Sequence, residues 1–201
     1  MLLPQNVQTA VPTTIAIFAS GNGTNCENII RHFARHSHVR VAVVVCNKAG
    51  APVLERARRL GVPSVMVPGS DLADESVILP LLAGYGVDLI VLAGFMLMVP
   101  PFLVKAFERR MINIHPSLLP RHGGKGMYGH RVHEAVKASG DTESGITVHY
   151  VSDICDGGEI IAQFSTPLLP SDTAADIERK VRALEMAHFP QVIEQVAAAS
   201  R

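Results

Sequence analysis

Cysteine is scarce in this 201-residue chain, which has only Cys26, Cys46 and Cys155. An odd number without metal-type spacing argues against a disulfide framework or a zinc ribbon. It fits free thiols in a reducing cytoplasm. Net charge is missing too. Eighteen basic residues balance eighteen acidic ones, so the chain lacks the cationic excess with which nucleic-acid binders neutralise phosphates. No apolar run approaches the ~20 residues of a membrane-spanning helix. The longest, Val87–Pro101, carries Asp88 and is interrupted by glycine and proline. Residues 1–13 have neither the basic start nor the long apolar stretch and cleavage site of a secretory signal, and are expected to form a flexible segment. Internal repeats and dividing linkers are absent. With 48% apolar residues, residues 14–201 suit one domain with a sizeable core.

What is present alternates between two kinds of segment. Thr14–Ala19, Val39–Cys46, Pro63–Val67 and Val87–Ala93 are β-branched and apolar on both faces, as strands of a covered parallel sheet are. Asn25–His36, Pro52–Leu60 and Asp71–Ala83 carry helical patterns between them, the last with a doubtful stretch at Pro80. This order predicts an α/β fold with a doubly wound, mostly parallel twisted sheet. A short helix at Pro101–Glu108 leads to a fifth strand, Arg109–Ile114. After the loop Arg121–Gly129, a helix at His130–Ser139 precedes two adjacent strands, Ile146–Val151 and Ile160–Phe164, which suggest a late antiparallel extension. Ala174–Ala198 predicts a long terminal helix, capped by Ser171 or Asp172 and open to a break near Pro190.

The most specific stretch is Met111-Ile-Asn-Ile-His-Pro-Ser-Leu-Leu-Pro120. Residues two apart on a strand share a face, so Asn113 and His115 emerge side by side where the strand stops. Pro116 and Pro120 stiffen the exit. Rigidly held polar groups at a strand's carboxyl end suit a site and not a core. Ser20-Gly-Asn-Gly-Thr-Asn25 follows the first strand and opens the first helix, where glycines and free N–H groups favour a phosphate. A plain strand-to-helix turn is the alternative. Cys26 stands at the third glycine position of a dinucleotide fingerprint, so a monophosphate fits better.

Asp153 reads as a turn cap. Asp156, before Gly157-Gly158, is turn chemistry or, if its loop packs beside Asn113 and His115, the carboxylate that raises the imidazole pKa. His149 is structural by default, and His122, His130 and His133 read as surface residues. Gly123–Gly126 reads as a flap, and Ser117 lacks the glycines of a nucleophile elbow. Gly94–Val99 is core or the apolar wall of a cleft.

Together these residues resemble the folate-dependent formyltransferases over about residues 14–196. The resemblance rests on Leu92-Ala-Gly-Phe-Met96, Asn113-Ile-His-Pro-Ser-Leu-Leu-Pro120 and Asp156-Gly-Gly158, in that order. It implies a formyltransferase-like fold with a Rossmann-like first half. It also implies transfer of a formyl group from the co-substrate 10-formyltetrahydrofolate to the amine of glycinamide ribonucleotide, a step of purine (IMP) synthesis that uses no metal. Asn113, His115 and Asp156 would be catalytic, with His149 in support. Gly23, Thr24 and Asn25 would hold the substrate phosphate and Glu185 its amine-bearing part. Phe95, Met96, Leu97, Val99, Val151, Ser152 and Asp153 would wall the folate pocket.

The implied partners are these two small molecules, with neither nucleic acid nor membrane, in a cytoplasmic monomer or homodimer. Leu97 departs from the polar residue common at its position. The glycine-rich Arg121–His133 leaves open which of His122, His130 or Arg131 meets substrate. Residues 69–86 hold no lysine or arginine, which shifts phosphate binding toward backbone N–H groups. The alternatives are a formyltetrahydrofolate hydrolase, a sugar-nucleotide N-formyltransferase and, in another class, a noncatalytic nucleotide-binding module. A transfer-RNA formyltransferase would be expected to carry a further carboxyl-terminal domain and a basic face.

Overall fold

The computed structural model describes residues 11–199; the flexible segment expected at 1–13 falls mostly outside that range. Strands apolar on both faces need cover on both, and they receive it. The first half runs β1 (Thr13–Ala19), α1 (Thr24–Phe33), β2 (Val39–Cys46), α2 (Pro52–Arg59), β3 (Ser64–Met66), α3 (Gly69–Leu72), α4 (Glu75–Gly84) and β4 (Leu89–Leu92). Then come α5 (Pro101–Ala106), β5 (Met111–His115), α6 (His130–Ser139), β6 (Glu143–Tyr150), β7 (Ile160–Pro167) and α7 (Ala174–Ala199). The strands form one sheet in the order β3-β2-β1-β4-β5-β6-β7. Pairings from β3 to β5 are parallel, and β6 pairs antiparallel with both β5 and β7.

The two-residue period of a strand sorts the core into two layers. Ile15, Ile17, Leu89, Val91, Ile112 and Ile114 pack with the buried faces of α1, α2, α6 and α7. Ala16, Phe18, Ile90, Leu92 and Met111 pack with α3, α4 and α5. Asn113 and His115 share the parity of Met111. They therefore face the second layer at the end of β5, beyond the cover that Leu103 and Phe107 give to Met111. Strand order reverses between β1 and β4, which opens a crevice at the strands' carboxyl ends. The loops after these strands are tied across it by Ser20 N–H to the Gly94 carbonyl (3.0 Å) and Met96 N–H to Ser20 Oγ (2.8 Å).

Several boundaries differ from expectation for local reasons. Residues 71–83 are not one helix. The chain breaks at Asp74, whose carboxylate accepts from Ser76 N–H (2.9 Å) and so caps a new helix. Pro80 lies inside α4, where its exposed position tolerates the single missing donor. Pro190 is likewise inside an unbroken α7. That helix is capped by Thr173 and not by Ser171 or Asp172. Thr173 Oγ1 accepts from Asp176 N–H (3.2 Å) while the Asp176 carboxylate accepts from Thr173 N–H (3.0 Å), a reciprocal box. Asp172 instead bonds Leu169 N–H and Lys180. The α1 helix ends at Phe33, three residues early, as the His36 N–H turns back to the Phe33 carbonyl. The fifth strand begins at Met111 and continues through His115.

A register shift in the β6–β7 ladder falls between Val148 and His149, and it turns the following loop toward β5. Gly158 makes that turn close, since a Cβ there would strike the Tyr150 carbonyl. Gly158→Ala should therefore cost about 1–3 kcal/mol through forced backbone movement. Urea unfolding checks this: the midpoint falls while the slope stays that of the parent protein.

Candidate active site

Asn113 lies opposite His149 in the β5–β6 ladder, and His115 lies opposite Thr147. Cross-strand pairs share a face, so the amide of Asn113 meets the imidazole of His149 at 3.1 Å. His149 Nδ1 bonds the Tyr150 carbonyl at 2.9 Å. A carbonyl only accepts, so Nδ1 carries hydrogen and Nε2 of the neutral ring is free to accept from Asn113. Burial holds His149 below the usual histidine range, against the pull of the Tyr150 carbonyl and Asp156, which keeps the ring in this neutral form.

The loop after β6 delivers Asp156 between the two imidazoles. Its Oδ2 lies 3.5 Å from His115 Nδ1 and its Oδ1 lies 3.7 Å from His149 Nε2. All three side chains are nearly closed to solvent, at 11% exposure for Asp156, 5% for His115 and 3% for His149. Asp156 adopts a left-handed backbone (φ 54°), which side chains seldom take unless their surroundings enforce it. Gly124 N–H donates to its Oδ2 at 2.9 Å. His115 Nε2 bonds the His122 carbonyl at 2.8 Å, so Nε2 carries hydrogen and Nδ1 is turned to the carboxylate. The structure thus brings Asn113, His115, His149 and Asp156 into one buried polar cluster.

Asn113, His115 and Asp156 line a central cleft of about 430 Å³, together with Asn25, Glu185, Met96, Leu97 and the glycine-rich segment 124–129. Asn25 Nδ2 donates to Glu185 Oε2 at 3.0 Å. Gly23 sits in the left-handed region (φ 77°), where a Cβ would overlap Val53, and it starts α1 without a side-chain cap. Asn25 turns its amide to Glu185, so toward a phosphate it has its backbone N–H to give. A narrower adjoining pocket is lined by Phe95, Leu97, Val99, Val151 and Ser152 along with Asn113, His149 and Asp156. Asp153 is not among its walls; it lies in an outer groove with Phe102, Val104 and Lys105.

Other side chains go elsewhere than sequence suggested. His133 is buried, and burial depresses its pKa. The side chains of His122, His130 and Arg131 turn to Asp141, Glu178 and the Tyr128 ring. Met98, from the Gly94–Val99 run read as core or cleft wall, also lines the apolar pocket, as do Ile154 and Cys155 from the loop Val151–Asp156 that the resemblance sets around the folate. Arg56 escaped notice, although its guanidinium bonds both Glu27 and Asn22 of the first loop. Among the described residues, no group of three His, Cys, Asp or Glu is arranged to hold a metal ion. None of the described helices is long and apolar enough to cross a membrane.

Burial pushes the Glu185 carboxyl above the usual range, with the Asn25 bond opposing. A carboxyl raised on folding is a liability when ionised: the cost is complete above the folded pKa and disappears as pH falls below the unfolded value near 4.5. Glu185→Gln keeps an acceptor for Asn25 and removes that cost. It should melt higher than the parent at pH 8, and the gap should close by about pH 4. Thermal melts across this range test it.

The model of the family described as "Formyl transferase" matches residues 13–193. A chloroplastic phosphoribosylglycinamide formyltransferase of Vigna unguiculata is 38% identical over 185 residues, covering 90% of this chain and 59% of that protein. The corresponding Arabidopsis thaliana protein is covered over 63% of its length, so the chain spans less than two thirds of these two relatives. The Bacillus subtilis (strain 168) phosphoribosylglycinamide formyltransferase is 39% identical over 186 residues, covering 90% of this chain and 93% of that one. Among solved structures, glycinamide ribonucleotide transformylase 1 from Symbiobacterium toebii superposes with a TM-score of 0.85 at 35% identity, over 94% of this chain and 90% of its own. With a family model matched over most of its length and relatives this similar, the chain belongs to the formyl transferase family.

Proposed function

We propose that this protein transfers the formyl group of 10-formyltetrahydrofolate to the amine of glycinamide ribonucleotide, the phosphoribosylglycinamide formyltransferase reaction. The observation that carries this reading is the placement of Asn113, His115 and Asp156 in one cleft. Asn25 of the α1 N-terminus and a carboxylate, Glu185, line the same cleft, and an apolar pocket adjoins it. The helix start at Gly23-Thr24-Asn25 suits the substrate phosphate. Glu185 suits the ammonium-bearing glycinamide, and the apolar pocket suits the folate ring system, with Phe95, Leu97 and Val151 as walls. Met96 lies at its edge. Asp153, in its outer groove, would at most meet the exposed tail of the donor.

In this scheme the amine nitrogen attacks the formyl carbon and an oxyanion develops. Asn113 and His115 Nδ1–H donate to it; such donors supply about 3 kcal/mol each. The attacking amine loses a proton, which Asp156 and His115 pass to the departing folate nitrogen as the carbon–nitrogen bond breaks. Acid–base help of this kind contributes roughly 10²–10⁴-fold. The remainder is positioning of two substrates. His149 holds the Asn113 amide in its working orientation. Neither a metal nor a covalent nucleophile enters the scheme. All groups invoked belong to one chain, which suits a monomer or a homodimer. The three cysteines are free thiols, which supports a reducing compartment such as the cytoplasm.

Release of tetrahydrofolate from 10-formyltetrahydrofolate, measured with and without glycinamide ribonucleotide, tests the reading. Amine-dependent release is expected. Amine-independent release would make the protein a hydrolase, and no release would leave a binding module. Asn113→Ala, His115→Ala and Asp156→Asn should each lower kcat at least about hundredfold, while ribonucleotide affinity by calorimetry stays near that of the parent. Three variants with near-normal turnover would remove the trio from the chemistry.

A further inference from the structure

We infer that His122 and Asp141 form a positioning pair for the catalytic imidazole, a role that rests on the reading of His115 given above. His122 is the neighbour of His115 in space through its backbone: its carbonyl accepts from His115 Nε2 at 2.8 Å. That bond decides which ring nitrogen faces Asp156. If the His122 peptide plane rotated, Nε2–H would lose its acceptor and Nδ1 would no longer be held toward the carboxylate and the cleft.

The peptide does not rest easily where it is. His122 has φ 55°, a left-handed conformation that costs a non-glycine residue about 1–2 kcal/mol. Something must hold it there, and the side chain supplies it. His122 Nε2 bonds Asp141 Oδ2 at 2.8 Å, with the two side chains only 15% and 17% exposed. Asp141 is set in the short connection between α6 and β6, directly after the helix-ending Gly140 (φ 72°). It is fixed to the scaffold and not to the loop. The His122 bond first, and then the Arg121 guanidinium, hold the Asp141 carboxyl below its usual range. Arg121 is half exposed and sits 3.5 Å from Asp141 and 3.7 Å from Glu143, a geometry worth little on its own.

The same turn also grips the other partner. Ser117 Oγ fastens the Arg121 carbonyl at 2.7 Å, and Gly124 N–H holds Asp156. Residues 121–124 therefore give an acceptor to the imidazole and a donor to the carboxylate from one short piece of backbone. The His122 side chain points away from the substrate cleft and into the scaffold. Its influence runs through the position of its own carbonyl.

The test compares the parent with Asp141→Ala and His122→Phe. Both should lower kcat roughly ten- to hundredfold, the range seen when groups that orient reacting residues are removed. KM for both substrates should stay within about twofold, with the variants folded at the assay temperature. Asp141→Glu, which restores the charge, should recover most of kcat. A readout independent of turnover is the His115 Nε2–H resonance in a ¹H–¹⁵N imidazole spectrum. It should be protected from exchange in the parent and in Asp141→Glu and lost in the other two variants. Unchanged kcat in folded Asp141→Ala and His122→Phe, or a rise in KM alone, would overturn the inference. A parent protein without amine-dependent turnover would instead sink the functional reading. The ring proton would then decide: retained protection in both variants refutes the pair, and its loss supports it.

Discussion

Asn113 and His149 face each other because β6 runs against β5. The rest of the site depends on that reversal. A parallel neighbour would need a long crossover and would bring its own carboxyl end alongside. The antiparallel one returns past β5 and lets its following loop fold back over the strand end. Asp156 arrives by that route, after a ladder irregularity at His149 and before the close turn at Gly158. The parallel half contributes a different asset, a crevice where strand order reverses, with the α1 N-terminus on its rim.

The buried polar cluster is stable because its groups satisfy one another in a fixed sense. Two backbone carbonyls accept from two imidazoles, one amide donates to the vacant ring nitrogen of His149, and a glycine N–H meets the carboxylate. Unpaired, each of these groups would cost about 1–3 kcal/mol in so closed a place. Paired, they fix tautomers and ring orientations before any substrate enters. Positioning of this kind is the larger part of what the proposed reaction needs from the protein.

Much of this was legible from residue pattern. Doubly apolar strands announced the parallel sheet, and the two-residue spacing of Asn113 and His115 put both on one face before any fold was known. Asp156 was ambiguous, since an aspartate before two glycines reads equally as a turn. Only the pairing of β6 with β5 separates the two readings, and pairing is a long-range fact. The cap at Thr173 is a choice among neighbouring short polar side chains that sequence alone does not rank, and the break at Asp74 is set by a capping bond that the apolar pattern does not show. Pro80 and Pro190 each remove one donor, whereas Asp74 and Thr173 satisfy the ends of new helices. A histidine such as His133 carries no mark of burial in the sequence, although the fold buries it. Arg56 gives no signal for a similar reason: its side chain acquires meaning only from what the folded chain sets beside it.

The two acceptors that orient His115 and His149 are peptide carbonyls, of His122 and Tyr150. A main-chain oxygen is present whatever residue occupies its position. Random substitution therefore cannot delete these two contacts directly, and the genetic code offers no codon that improves them. They change only when the path of the chain changes. The side chain of residue 150 is thereby released to drift, provided that it preserves the local backbone, whereas that of residue 122 stays tied to Asp141. The bond to His149 is thus carried by no side chain, while the bond to His115 depends on one only through the hold of Asp141 on residue 122.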